Sequence, residues 1–185
     1  VIIALSGNLD REGGHLIGEG IFDFAAYAKR KGLFARDTRS RVGDFRSLNG
    51  AMPGGILADE ILTPGKEQVS TLFVTGGNPL MTMPNAERLR SAFKKLKLLV
   101  VTDIYLNETA SLADYVLPAT SPLERPDLPF VFPLFLGLQS IPYLAATEAV
   151  LAPPGETRDE ATIYTQLASA SGVGLFGSKL VQRVL

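Results

Sequence analysis

The sequence predicts an α/β fold built on a mainly parallel sheet of about four strands flanked by helices, and the observations behind it lie in residues 71–118. An apolar, β-rich run (Leu72-Phe73-Val74-Thr75) meets a turn signal, Gly76-Gly77-Asn78-Pro79. Pro84-Asn85 then opens a helical pattern in which Leu89, Ala92, Phe93 and Leu96 recur at i, i+3, i+4 and i+7, which gives one apolar face for a sheet. A second buried-type run, Leu98-Leu99-Val100-Val101-Thr102, ends at Asp103. Strand, glycine turn, helix and strand make a βαβ unit, whose ligands collect at the carboxyl ends of the strands.

The remaining elements follow from local signals. Residues 1–5 read as the last turn of a helix ended by Gly7, and Gly13, Gly14, Gly18 and Gly20 as a loop. Residues 21–31 suit a helix, with Phe22, Ala25, Ala26 and Ala28 on one packed side and Lys29-Arg30-Lys31-Gly32 as its C-terminal signal. Residues 36–55 show neither the helical nor the strand period and read as a long loop carrying Arg36, Arg39, Arg41 and Arg46. Residues 56–62 form a short helix closed by Pro64-Gly65. In the central helix Asn85 can cap, Glu87 sits in the first turn, and Lys94, Lys95 and Lys97 complement the C-terminal end. Residues 107–113 make a short helical turn, and Tyr115-Val116-Leu117 a third strand ended by Pro118. Residues 119–147 are a second long, proline-rich loop, followed by a candidate strand at 148–151. Thr157-x-x-Glu160 has the form of a capping box, and it opens a helix with Ile163, Leu167 and Ala170 on one side, stopped by Gly172. The expectation is one domain, 1–185, Rossmann-like and three-layered, with long irregular segments.

Composition removes several classes of function. Formal net charge is -1 with Lys and Arg scattered along the chain, which argues against a nucleic-acid or anionic-membrane surface. There is no cysteine, so the chain holds no disulfide, no thiolate metal site and no iron–sulfur ligand. A single histidine, His15, read as a loop residue, argues against a His-based metal site or a Ser-His-Asp triad. The longest apolar run, 128–138, contains Pro129, Pro133 and Gly137 and is too short to span a bilayer. It is expected to pack against a neighbouring domain. The chain opens on Val inside an apolar run and closes on Lys179-Leu180-Val181-Gln182-Arg183-Val184-Leu185, a helix begun and stopped. An internal piece of a longer polypeptide is expected.

The residues at the strand ends allow a chemical reading beside a structural one. Gly76, Gly77 and Asn78 let backbone N–H groups approach a ribose or pyrophosphate oxygen, with the positive end of the following helix behind them; a plain strand-to-helix turn uses the same residues. This is no GxGxxG fingerprint, so NAD has little support. Asp103 can accept from the N1–H and 2-amino groups of a guanine, or serve as a turn residue. Asn107 and Thr109, on the next turn, can touch the same base or ribose, or act as caps. The arginines of 36–46 can neutralise a pyrophosphate or form a solvated loop. Nothing brings Asp114 and Glu124 together, so no catalytic carboxylate pair and no catalytic residue is assigned.

Several blocks in order resemble the molybdopterin oxidoreductases of the dimethyl-sulfoxide-reductase and formate-dehydrogenase type. Gly7-Asn8-Leu9-Asp10-Arg11-Glu12-Gly13-Gly14 is similar to the family's G-N-x-x-R-x-G-G, and Gly77-Asn78-Pro79 to its G-x-N-P. Val101-Thr102-Asp103-Ile104-Tyr105-Leu106-Asn107-Glu108-Thr109-Ala110 resembles V-x-x-D-x-(F/Y)-x-x-E-T-A. Ala113-Asp114-Tyr115-Val116-Leu117-Pro118-Ala119 with Glu124, and Pro154-Gly155-Glu156-Thr157-Arg158 with Leu167-Ala168, continue the pattern over nearly the whole chain. Where many members carry Glu-x-x-Gly-Thr, this chain has Glu124-Arg125-Pro126-Asp127-Leu128, which leaves subfamily and substrate open.

The resemblance implies a multidomain enzyme with a pair of molybdopterin guanine dinucleotides around molybdenum or tungsten, catalysing two-electron redox of a small substrate. It implies a cofactor-binding set of Gly76, Gly77, Asn78, Pro79, Asp103, Ile104, Asn107 and Thr109, with Asn49 at the approach to the pterin. It places the iron–sulfur cluster and the protein ligand to the metal outside this chain, which alone is expected to be inactive. Expected partners are the remaining domains of the parent polypeptide and an electron-transfer subunit, with no nucleic acid and no membrane insertion. The compartment is cytoplasmic or periplasmic. The alternatives are a metal-free structural relative, as in the large iron–sulfur subunit of respiratory complex I, serving as an assembly scaffold, and a free-standing nucleotide-binding module.

Overall fold

The computed structural model describes residues 2–16, 23, 26, 27, 30, 38–47, 51–128 and 145–173. The chain divides into two compact units, one comprising 1–37 and 126–149, the other 38–125 and 150–185. The range expected as one domain therefore contains both. Among the described residues no helix is long and apolar enough to cross a membrane.

In the first unit, helix α1 (Ile2–Leu5) ends where Gly7 turns left-handed at φ 69°, and Gly7 and Asn8 donate to the Ala4 and Ile3 carbonyls. The Gly13-Gly14 loop folds back so that Leu9 and His15 form a parallel bridge. Gly14 is needed there, since a side chain would collide with the Asn8 carbonyl oxygen. His15 is a loop residue, as expected. Asp127 and Thr147 pair in an antiparallel bridge across the second long loop. The helix expected over 21–31 is described only at residues 23, 26, 27 and 30, of which Ala26, Tyr27 and Arg30 are helical. Asn49, 179–185 and the apolar run beyond Leu128 lie outside the described residues.

The second unit is built on parallel strands β1 (Thr71–Thr75), β2 (Leu98–Asp103) and β3 (Tyr115–Pro118), in that spatial order. Thr71 pairs with Leu98 and Thr75 with Thr102; Val100 pairs with Tyr115 and Asp103 with Pro118. β2 is the central strand: Leu99, Val100, Val101 and Thr102 are all buried, which is why its sequence is a continuous apolar run rather than an alternation. Asp114 starts β3 by accepting from the Leu99 N–H through its carboxylate (2.7 Å) and donating its own N–H to the Leu99 carbonyl (2.8 Å). That role, and the Glu124 carboxylate's bond from the Ser121 N–H, make both acids local structural groups.

One face of the sheet packs on helices α2 (Leu57–Leu62) and α4 (Ala86–Phe93), where Ala58, Ile61, Leu89, Ala92 and Phe93 form one core with Val74, Leu99 and Val101. Asn85 caps α4 as its sequence predicts, accepting from the Arg88 N–H. Helix α5 (Glu160–Ala170) lies on the other face, where the Tyr164 hydroxyl bonds the Thr75 hydroxyl. The arrangement is thus α/β and three-layered, with a parallel sheet.

The structure departs from expectation at four places. The sheet has three strands among the described residues, not about four, and 148–151 is not a strand. The Val150 and Leu151 N–H groups both donate to the Leu123 carbonyl, and Pro153-Pro154 offer no donors beyond. Among the described residues the place beside β3 is taken by a parallel bridge from Ala119 to Arg158. Helix α5 is capped not by a Thr157 box but by Asp159, whose carboxylate accepts from the Thr162 N–H (2.9 Å) and hydroxyl (2.6 Å), while the Thr157 hydroxyl is spent on the Pro154 carbonyl. An ionised cap at a helix N-terminus outcompetes a hydroxyl. The glycine turn leads first into a single helical turn, α3 (Pro79–Thr82), and only then into α4. Finally, the described part of loop 36–55 has internal order: Arg39 and Arg46 bridge, and Gly54–Ile56 is a 3-10 turn. Arg41 pairs with Glu60 (3.2 Å) and donates to the Glu60 and Thr63 carbonyls, so it clamps this loop to α2 and is not held for a pyrophosphate.

The fully buried Leu99 anchors the central strand, and Leu99→Ala is expected to cost about 2–4 kcal/mol in urea unfolding; a midpoint unchanged from wild type would contradict this core. The hydroxyl and N–H of Thr162 hold the Asp159 carboxyl below its ordinary value. A depressed folded pKa stabilises above the unfolded pKa, and that stabilisation is lost as pH falls through the folded value. Asp159→Ala should therefore cost about 1 kcal/mol near neutral pH and much less in acid, read from thermal midpoints across pH.

Candidate functional site

Parallel pairing brings the carboxyl ends of β1, β2 and β3 to one edge of the sheet. There the Gly76 N–H, left-handed at φ 54°, donates to the Thr102 carbonyl (2.8 Å), and the Ala119 N–H to the Asp103 carbonyl (3.1 Å). A cavity of about 330 Å³ opens at this edge. Gly76 and the stretch Asp103-Ile104-Tyr105 supply one side; Ala119, Thr120, Pro122 and Arg125 supply another; Glu160, first residue of α5, completes it.

Asp103 is held rather than free to swing. One carboxylate oxygen accepts from the Tyr105 N–H (2.9 Å) and the other from the Asn107 side-chain amide (3.0 Å). Each oxygen keeps a lone pair for a further donor. Arg125 bonds Glu160 at 3.2 Å, with side chains 25% and 35% exposed. Arg125 gives one N–H to Glu160 and keeps others, so the cavity presents the carboxylates of Asp103 and Glu160 as acceptors and this guanidinium as a donor. The Thr120 hydroxyl is buried without a hydrogen-bond partner among the described residues, an unmade bond that costs about 1–3 kcal/mol. Ile104 and Tyr105 are exposed and, with Pro122, offer apolar surface.

The residues predicted from sequence fall into two groups. Gly76, Asp103 and Ile104 line the cavity directly. Asn78, Pro79, Asn107 and Thr109 build its frame. The Asn78 amide donates to Glu108 (2.5 Å) and accepts from the Thr109 hydroxyl (2.7 Å). Its own N–H bond, followed by this Asn78 bond, holds the exposed Glu108 carboxyl below its ordinary value. Pro79 is buried, and Thr109 is fully buried. Asn107 acts as a cap, accepting from the Ala110 N–H (2.9 Å), as well as orienting Asp103. Gly77 lies on the turn; its N–H and that of Asn78 have no acceptor among the described residues. The helical turn that follows is four residues long, too short to supply the dipole expected behind the glycines.

Sequence reasoning gave no site role to Tyr105, Ala119, Thr120, Pro122, Arg125 or Glu160. Glu160 carried a local signal, but one for helix capping. Arg125 stood out only as a departure from the family pattern.

A profile of the molybdopterin oxidoreductase family matches residues 5–170. The chain is 28% identical over 173 residues to a probable oxidoreductase, YyaE, of Bacillus subtilis, covering 94% of this chain and 24% of that protein. It is 32% identical over 120 residues to the F420-dependent formate dehydrogenase subunit alpha of Methanocaldococcus jannaschii, covering 65% and 17%. It is 30% identical over 134 residues to the trimethylamine-N-oxide reductase of Haemophilus influenzae, covering 66% and 16%. Acetylene hydratase from Pelobacter acetylenicus superposes with a TM-score of 0.56 at 30% identity, over 64% of this chain and 16% of that one. The chain thus spans a quarter or less of each of these proteins. The parallel sheet, the glycine turn at its edge and a match running through both lead to one conclusion: the chain belongs to the molybdopterin oxidoreductase family.

Proposed function

We propose that this chain holds the guanosine end of a molybdopterin guanine dinucleotide within a larger oxidoreductase. The observation that carries it is the acceptor-rich cavity at the ends of β1 and β2, where an oriented Asp103 faces a space of nucleoside size. The Asp103 carboxylate accepts from the N1–H and 2-amino groups of guanine, a donor pair that adenine lacks. Ile104, Tyr105 and Pro122 give the base an apolar wall, and Glu160, steadied by Arg125, accepts from the ribose hydroxyls. The Gly77 and Asn78 N–H groups, with the remaining Arg125 N–H groups, are donors for a phosphate oxygen.

The carboxylates of Asp103 and Glu160 fit the donors of a base and ribose, while Arg125, which gives one N–H to Glu160, keeps others for a ligand oxygen. When bound, the cofactor carries the metal at which the substrate exchanges electrons; the chain's own residues bind and orient its nucleotide. The relatives' names support that division. Formate dehydrogenase, trimethylamine-N-oxide reductase and acetylene hydratase name different reactions, so what such a segment has in common is more readily a cofactor than a substrate. Partners in this reading are the remaining domains of the parent polypeptide and an electron-transfer subunit. Among the described residues no His, Asp or Glu cluster suits a metal ion.

Asp103→Asn replaces an acceptor for two donors with a group that can accept only one. GMP affinity is expected to fall about 10–100-fold while AMP binding stays weak and unchanged, measured by calorimetry. Equal GMP affinity in wild type and variant would exclude Asp103 as the guanine reader. For the full-length protein, molybdenum or tungsten should co-purify with releasable guanine nucleotide. Clean absence of both from active, matured protein would favour the scaffold alternative, and turnover by the isolated chain with an artificial electron donor would overturn the division of labour.

A further inference from the structure

The turns after β1 and β2 leave the sheet side by side, but ladder hydrogen bonds end at the Gly76 N–H. Beyond it, side-chain bonds of Thr109 and Glu108 hold one turn against the other, and Thr109 makes two of them. This side chain is 0% exposed, and its hydroxyl is used in both directions: it donates to the Asn78 side-chain oxygen (2.7 Å) and accepts from the Leu80 N–H (3.2 Å). With its oxygen committed to Thr109, the Asn78 amide must turn its NH₂ group to Glu108, at 2.5 Å. On the other side Thr109 precedes Ala110, whose N–H the Asn107 side chain accepts while its amide orients Asp103. Hydrogen bonds therefore tie the glycine turn to Thr109, and the next residue, Ala110, gives its N–H to the Asn107 side chain that orients the carboxylate facing the cavity.

We infer that Thr109 is a positioning residue for nucleotide binding. Its hydroxyl fixes the glycine turn relative to Asp103, so that the backbone donors of residues 77–78 and the acceptors of Asp103 meet one ligand at a set spacing. The inference rests on the nucleotide reading of the cavity. It adds that a residue no ligand can touch sets the affinity, through a bond buried enough that nothing in solvent replaces it.

Thr109→Val keeps the shape and removes the hydroxyl, leaving the Asn78 oxygen and the Leu80 N–H without their partner. GMP affinity is expected to fall about tenfold. Hydrogen exchange followed by mass spectrometry should quicken about tenfold in peptides covering 76–83, while peptides from β2 and α4 keep wild-type rates. Thr109→Ser should restore both. Should Thr109→Val fail to fold, Asn78→Ala removes the other end of the same bond from a more accessible position and should loosen the same peptides. Faster exchange throughout the unit would mean a general packing role and overturn the inference. So would a loosened turn with unchanged GMP affinity, a failure of Ser to rescue, or tight exchange in Asn78→Ala. If wild-type protein binds no GMP, the nucleotide reading falls and the positioning role with it, whereas a wild type that binds while Thr109→Val binds equally well removes only the role of Thr109.

Discussion

Parallel hydrogen bonding on both sides of β2 is the constraint on which the larger unit depends. A strand paired in that way is covered by neighbours along both edges, and the helices that parallel connections lay on the sheet bury its side chains. That accounts for the unbroken Leu99-Val100-Val101-Thr102 run. It also fixes where chemistry can occur, because parallel strands deliver all their carboxyl-terminal turns to one edge. Gly76, Asp103 and Ala119 meet for that reason alone, from separate places in the chain.

What gathers at that edge is electrostatically selective. Two carboxylates and one guanidinium leave this edge net acidic, with Arg125 offsetting Glu160 first. The same arrangement welcomes hydrogen-bond donors. Cofactor recognition would then be divided by charge: donors of base and ribose to the carboxylates, phosphate oxygens to the N–H groups of the glycine turn.

The parts of the fold governed by short-range rules were legible. Asn85 capped α4 as read, the i, i+3, i+4 spacing of Leu89, Ala92 and Phe93 gave its buried face, and β1, β2 and β3 lie within a residue of their predicted bounds. The misreadings arose where two local signals competed. Thr157 and Asp159 could both have capped α5, and the choice turned on charge and on the Pro154 turn that claimed the threonine hydroxyl. Half the cavity was illegible for another reason. Thr120, Arg125 and Glu160 reach it through long-range placement, which leaves no periodicity or motif behind, whereas Asp103 and Gly76 sit at strand ends that the sequence marks.

The bridge between Ala119 and Arg158 carries a consequence for how such proteins vary. The Thr120 N–H donates to the Arg158 carbonyl and the Arg158 N–H to the Pro118 carbonyl, so the chain departs from the end of β3 and returns to the same spot. An excursion whose ends are pinned together can lengthen or shorten at little entropic cost, about 0.6 kcal/mol for each doubling. Residues 121–157 are therefore an insertion point built into the sheet edge. A change in its length beyond Pro122 and Arg125, which line the cavity, leaves Asp103 and the glycine turn in place.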